Sequence, residues 1–325
     1  NYKSTQNSTD PDLMGLFRSL TYYTRSTVAI VLLCLCALYG VFASIVLICF
    51  GNRHLAQWTT ARSFYYVIGS ALGIKVKVIN GENLKKLPAI LVANHQSELD
   101  VLILGRVFPR GCTVTAKNSL KYVPFLGWFM TLSGTLFLKR GNTKNSIATL
   151  NKALKELRSE KRALWVFPEG TRPYSTKLCT VPFKKGAFHL AQQGKIPIVP
   201  VIISNTSTIL SPKLGIFNRG TITVKVLDPI STEDLTKEGV TAFSEKVRDL
   251  MDKEIKKLGY SEACNDTGLP KEALSEIGHI AEYENYGDDD STVGESFADE
   301  IEIIAETNDK KRAEEPTETT KLLNR

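Results

Sequence analysis

No charged residue separates Arg25 from Arg53, and the stretch Thr27–Phe50 (TVAIVLLCLCALYGVFASIVLICF) is almost wholly apolar. As an α-helix this stretch is roughly 36 Å long, enough to cross a hydrocarbon layer of about 30 Å with some tilt. A cleaved signal peptide would carry a shorter apolar core, about 7–15 residues, nearer its start. Residues 27–50 are therefore predicted to be a transmembrane helix behind a polar N-terminal segment, residues 1–26. Its orientation is open, because Arg18 and Arg25 on one side balance Arg53 and Arg62 on the other.

Beyond the span the pattern changes to short apolar runs alternating with amphipathic stretches. Ile74–Val78 (IKVKV) alternates as a half-buried strand does, while Ala89–Val92, Ala163–Phe167 and Ile198–Ile203 read as strands buried on both faces. Between them, Ser146–Glu160 puts Ile147, Leu150, Leu154 and Leu157 on one helical face. Thr241–Leu258 does the same with Phe243, Val247, Leu250, Met251 and Ile255, and Gly259 is placed to cap it. Such alternation predicts an α/β fold, a sheet covered by helices. Two stretches stay ambiguous. Leu55–Gly73 reads equally as a helix at a membrane interface or as a core helix. Tyr122–Leu138 is broken by Pro124, Gly127 and Gly134, and reads as a buried or membrane-dipping segment rather than a second span.

Charge divides the chain. Residues 272–325 hold 16 acidic and five basic residues, a net −11, so residues 1–271 carry +18 of a chain at +7. A basic body suits an anionic partner: a phospholipid surface, a phosphorylated small molecule or nucleic acid. The cations are not set on an aromatic-interleaved face, which argues against nucleic acid. The tail, residues 263–325, is too acidic and too poor in apolar residues to build a core and is expected to be disordered. The six cysteines fall within the span or lie scattered, with no C-x-x-C spacing for zinc and no disulfide framework. Three N-x-S/T sequons, at Asn7, Asn205 and Asn265, carry little weight.

Four clusters fall at or near strand ends, where loops converge in α/β sheets. In Asn94-His95-Gln96-Ser97-Glu98-Leu99-Asp100, a histidine can take a proton near neutral pH, and a carboxylate on its other ring nitrogen can hold the tautomer. Residues five apart stand about 140° apart on a regular helix. His95 and Asp100 therefore meet only if the histidine lies in the turn before a helix and the aspartate in its first turn. The competing reading makes Ser97-x-x-Asp100 a plain capping box. In Phe167-Pro168-Glu169-Gly170-Thr171-Arg172 a forced turn offers a hydroxyl and a forked cation suited to phosphate, or an ordinary turn with a solvated Glu–Arg pair. Gly134–Arg140 is an apolar strand ending in Lys139 and Arg140. In Val199-Pro200-Val201 the proline suggests an edge strand or a bulge, and the nearby His189 reads as a packed helix residue.

In this order the four blocks resemble the glycerolipid acyltransferase family, most of all its fungal 1-acyl-sn-glycerol-3-phosphate acyltransferases. NHQSELD matches the N-H-x-x-x-x-D block, GTLFLKR the G-x-x-F-x-x-R block, FPEGTR the third block letter for letter, and IPIVPVII the fourth. The likeness runs from about Arg25 to Asp266 and leaves Glu98 in a variable position. The resemblance implies a glycerol-phosphate acyltransferase-like mixed sheet over residues 51–262. It also implies acylation of the sn-2 hydroxyl of lysophosphatidic acid by acyl-CoA, with His95 as base and Asp100 orienting it. Lys139, Arg140, Glu169, Gly170, Thr171 and Arg172 would bind the acceptor's phosphate. It implies no cofactor and no metal, acyl-CoA being a substrate, and partners limited to the two lipids and a phospholipid membrane. That membrane is expected to be the endoplasmic reticulum, with lipid droplets as a second site. The rival readings are another lysophospholipid or glycerol 3-phosphate as acceptor, or a membrane lipid-binding protein without activity.

Overall fold

The computed structural model describes residues 11–138 and 154–264. Every apolar run read as a strand is one. The strands are β1 (Ile74–Ile79), β2 (Ala89–Ala93), β3 (Thr113–Lys117), β4 (Leu136–Leu138) and β5 (Ala163–Val166), followed by β6 (Ile198–Ile203), β7 (Leu210–Ser211), β8 (Ile216–Phe217), β9 (Gly220–Val226) and β10 (Glu262–Ala263). The main sheet runs β1-β9-β6-β2-β5-β3-β4, with β10 also on β9; β7 and β8 form a separate hairpin. Strands β6, β2, β5, β3 and β4 are mutually parallel, whereas β9 is antiparallel to β6 and parallel to β1. The sheet is mixed, as the resemblance implied.

Alternate residues of β2 feed two cores, because side chains on a strand point to opposite faces in turn. Ala89, Leu91 and Ala93 join Trp165, Val199 and Ile103 on one face. Ile90 and Val92 join Phe188, Ile202 and Met251 on the other. Pro200 is not at an edge. Strand β6 is interior, and the proline sits where its pairing slips by one residue, between the Ile198–Ile230 bridge and the Val201–Val226 pair. The missing donor falls at that bulge, while the Pro200 carbonyl still accepts the Leu227 N–H at 2.9 Å.

The first core is covered by helices from the N-terminal half. Helix α1 (Pro11–Cys49) takes in the apolar run and the residues before it, so the segment expected to be a polar lead-in is helical from Pro11. It packs against α2 (Ala56–Ser63), a π-turn (Phe64–Ile68) and β8. Small residues make the close approach possible: Ala37, Ala43 and Ser44 are buried. A Cβ on Gly40 would stand 2.6 Å from Thr60 Cγ2 and 2.8 Å from Phe129 Cδ2. The other face bares Leu35, Phe42, Ile45 and Val46. Among the described residues, α1 is the one helix long and apolar enough to cross a membrane. The ambiguous stretch that follows is mainly core: Ala61, Phe64, Ile68 and, in α3 (Gly69–Leu72), Leu72 are buried, and Tyr66 and Val67 face outward.

Helix α4 (Asp100–Val107) completes this layer, and α5 (Leu126–Ser133) packs on α1. Tyr122–Leu138 is therefore neither fully buried nor free: Phe129 and Met130 face inward while Tyr122 and Trp128 are exposed. On the second face lie a helical turn at 154–159, labelled α6, then α7 (Gly186–Gly194) and α8 (Val240–Leu258). The start of the helix read at Ser146–Glu160 lies outside the described residues, as does the tail from residue 265. In α8, Val247, Met251 and Ile255 are buried, but Leu250, grouped with them by periodicity, is exposed. His189 is packed inside α7, as read.

Candidate active site

Three neighbouring parallel strands, β6, β2 and β5, end on one edge of the sheet; the NHQSELD and FPEGTR blocks leave from the ends of β2 and β5, the IPIVPVII block is β6 itself, and the GTLFLKR block lies on β4, two strands beyond β5. Asn94 closes β2 onto β6: its amide donates to the Ile203 carbonyl at 3.0 Å and accepts the Ile203 N–H at 2.8 Å. Gln96 continues the clamp, donating to the carbonyls of Ile203 (3.0 Å) and Ser204 (3.1 Å) and accepting the Thr206 N–H at 2.7 Å. His95 is thus held between two side chains that satisfy strand-end backbone groups, where an unpaired buried donor or acceptor would be costly.

His95 lies in the turn before α4, and Asp100 is the helix's first residue, the one arrangement in which their spacing lets them meet. His95 Nδ1 and Asp100 Oδ2 are 2.5 Å apart, with the carboxylate side chain 2 % exposed and the imidazole 15 %. The same oxygen accepts the N–H groups of Gln96 (3.0 Å) and Ser97 (3.3 Å). The two sequence readings are therefore compatible, since one carboxylate oxygen both receives N–H groups at the helix start and holds the imidazole. With Nδ1 committed to Asp100, Nε2 is the ring nitrogen left for chemistry. The ring stacks on Phe167 at 4.1 Å between centroids and 19° between planes, which fixes its tilt.

The FPEGTR loop leaves β5 beside this pair. Gly170 has φ +65°, a left-handed turn that glycine adopts without strain. The sequence grouped Glu169 with the phosphate ligands, but the structure turns its carboxyl inward. Glu169 is 3 % exposed. Its Oε1 accepts the backbone N–H of His95 at 2.7 Å and its Oε2 that of Val181 at 3.3 Å. Burial pushes this carboxyl up to about 8, outweighing the pull of the two N–H groups, and the charges of Asp100 and Asp252 push the same way. At neutral pH Glu169 is chiefly an uncharged strut beneath the His95 backbone. Thr171 is exposed and Arg172 half-buried at the rim, with Arg172 Nη1 at 3.8 Å from Glu98 Oε1. Lys139 and Arg140 lie outside the described residues.

A crevice opens beside the imidazole, lined by His95, Gln96, Glu169, Ser175, Cys179 and Asn205. Asn205, noted only as a sequon, is 4 % exposed. Its amide donates to the carbonyls of Ser175 and Lys177 at 3.1 and 3.0 Å, pinning the loop after FPEGTR. Sequence reading missed the clamps Asn94, Gln96 and Asn205, and also Phe167 as the ring under His95. Asn94 and Gln96 had a signal, being amides directly at a strand end. Tyr174, whose hydroxyl donates to Glu98, had none.

A histidine paired with a buried carboxylate thus stands beside a loop that carries a cation. Residues 75–204 match a family model described as Acyltransferase. The 1-acyl-sn-glycerol-3-phosphate acyltransferase of Saccharomyces cerevisiae is 59% identical over 261 residues, covering 80% of this chain and 86% of that protein. The human 1-acyl-sn-glycerol-3-phosphate acyltransferase alpha is 34% identical over 201 residues, 62% of this chain and 70% of that one. The crystal structure of the 1-acyl-sn-glycerophosphate acyltransferase PlsC from Thermotoga maritima superposes with a TM-score of 0.57 at 24% identity, covering 76% of this chain and 97% of that chain, a likeness of fold. This chain belongs to the 1-acyl-sn-glycerol-3-phosphate acyltransferase family.

Proposed function

We propose that this enzyme esterifies the sn-2 hydroxyl of lysophosphatidic acid to give phosphatidic acid, with acyl-CoA as donor and His95 as general base. The observation that carries the reading is the 2.5 Å contact between His95 Nδ1 and the buried Asp100 carboxylate. It orients Nε2 and stabilises the imidazolium that forms when the hydroxyl proton is taken. The alkoxide oxygen attacks the thioester carbonyl, the C–S bond breaks, and the leaving thiolate takes the proton back from His95. A thioester is already activated, so no covalent enzyme intermediate is required. Arg172 and Thr171, at the rim, would receive the acceptor's phosphate, because a guanidinium matches phosphate oxygens in a fork. By the family resemblance, Arg140 would bind the same phosphate, with Lys139 as helper. Glu169 and Gly170 serve as the loop's strut and turn.

Helix α1 suits amphiphilic substrates: its bared apolar face keeps the protein at a bilayer where both acyl chains reside. In this reading the bilayer is that of the endoplasmic reticulum or a lipid-droplet surface. The test is labelled acyl-CoA incubated with purified enzyme and a panel of acceptors. His95→Ala should lower kcat by about 10²–10⁴-fold, and a variant with near-normal turnover would falsify the base assignment. Preferred acylation of glycerol 3-phosphate or lysophosphatidylcholine would overturn the acceptor.

A further inference from the structure

Glu98 occupies a variable position of the first block, three residues after the base, and the resemblance gives it no role. Its exposed side chain meets two partners among the described residues. Its Oε1 accepts the hydroxyl of Tyr174, and the same oxygen stands 3.8 Å from Arg172 Nη1. At that distance the carboxylate pairs with the cation without a close hydrogen bond, and the Tyr174 side chain, bonded to Glu98, also meets the Arg172 guanidinium. Arg172 Nε is buried and has no hydrogen-bond partner among the described residues. Tyr174 has φ +50°, a left-handed backbone that is unfavourable for a bulky residue. The loop thus adopts a costly turn whose visible result is a hydroxyl on Glu98.

We infer that Glu98 is the resident counter-ion of Arg172 and sets acceptor specificity by charge, yielding the cation to a phosphomonoester but not to a singly charged phosphodiester. The inference rests on Arg172 being a ligand of the acceptor's phosphate. Without substrate, Glu98 neutralises a half-buried cation. An incoming phosphate close to charge −2 outcompetes one carboxylate for the fork, and Tyr174 keeps a donor on the carboxylate once it is displaced. A phosphodiester headgroup, at −1, has no such advantage and meets the repulsion of Glu98. The residue therefore costs some affinity for the true acceptor and excludes its neighbours, as specificity often requires.

The experiment measures steady-state kinetics of purified wild type, Glu98→Gln, Arg172→Ala and the double variant, with lysophosphatidate and with lysophosphatidylglycerol, a phosphodiester. Glu98→Gln should lower KM for lysophosphatidate about two- to fivefold, the range an exposed ion pair commands. KM for acyl-CoA should not move, and lysophosphatidylglycerol acylation should rise. The difference from wild type should shrink as salt increases, since the exposed charges are screened over a Debye length of about 8 Å at physiological ionic strength, and should vanish in the Arg172→Ala background. If Arg172→Ala leaves KM for lysophosphatidate unchanged, the phosphate assignment itself fails. If Arg172→Ala raises that KM but Glu98→Gln leaves it unchanged, raises it, or changes it independently of salt, the counter-ion role alone fails.

Discussion

Replacing Glu169 by glutamine should flatten the pH dependence of stability. The carboxyl's ordinary value of 4.5 rises to about 8 in the folded chain. Between those values the folded protein binds a proton that the unfolded chain has released, so stability falls as pH rises. The stabilising contribution is complete below about pH 4.5 and is lost by about pH 8, at about 1.4 kcal/mol per pH unit. By pH 7 the loss is about 3 kcal/mol, and above pH 8 it levels off at about 5 kcal/mol. Glutamine never titrates. Its carbonyl can still accept the His95 N–H, but its NH₂ group would face the Val181 N–H, which now bonds Oε2 at 3.3 Å. Losing that bond costs about 1 kcal/mol.

The two contributions have opposite signs, so the stability curves should cross near about pH 5. Below the crossing the glutamine protein is the weaker; at pH 7 it should be the stronger by about 2 kcal/mol. The assay is urea unfolding in detergent micelles followed by circular dichroism, run on both proteins from acid to mildly alkaline pH. Taking the difference cancels every group the two share. Parallel curves across that range would mean that Glu169 ionises in place at no cost, and the account of burial overriding two N–H donors would be refuted.

Asp100→Asn should lower kcat by about 10²–10⁴-fold with little change in either KM, because the amide cannot stabilise the imidazolium that the carboxylate holds at 2.5 Å; acylation rates with saturating substrates check this. Gly40→Leu drives a side chain into Thr60 and Phe129 at the crossing of α1 with α2 and α5. It should cost about 1–3 kcal/mol as overpacking, seen as a lower thermal unfolding midpoint in detergent.

Much of the fold was legible because apolar periodicity reports which faces are dry. Ala89–Val92 and Ile198–Ile203 were read as doubly buried runs and became the interior strands β2 and β6. The same signal ran too far at Leu250, where a helix wide enough in apolar residues leaves one exposed. It also could not show that α1 continues back to Pro11, since hydropathy marks where a helix is apolar and not where it begins. Pro200 allowed two readings, and only the pairing of β6 with its neighbour on each side selects the bulge over the edge.

The site divides along a similar line. Spacing showed the one local geometry in which His95 and Asp100 could meet but left the capping-box reading open; the resemblance favoured the pair, and the chain adopts that geometry. The direction of Glu169 could not be read. Its letters stand beside Thr171 and Arg172, and nothing in them tells an outward carboxylate from an inward carboxyl until the neighbouring strand supplies the His95 N–H. Asn94 and Gln96 carried only the hint of amides at a strand end, and Asn205 nothing beyond its sequon: each satisfies backbone groups on a segment distant in sequence, and the value of such a bond depends on burial that the partner creates. In the proposed mechanism His95 must stay fixed while lipids come and go, so the residues that hold its backbone matter as much as the carboxylate that holds its ring. In this chain the ring is held locally, by Asp100 and by stacking on Phe167, whereas the backbone beneath it is held by Asn94 and Gln96 on β6 and by Glu169 from the loop after β5. The precision of the base is therefore a property of three strand ends together, and a change that separates β6 or β5 from β2 should disable it without touching His95.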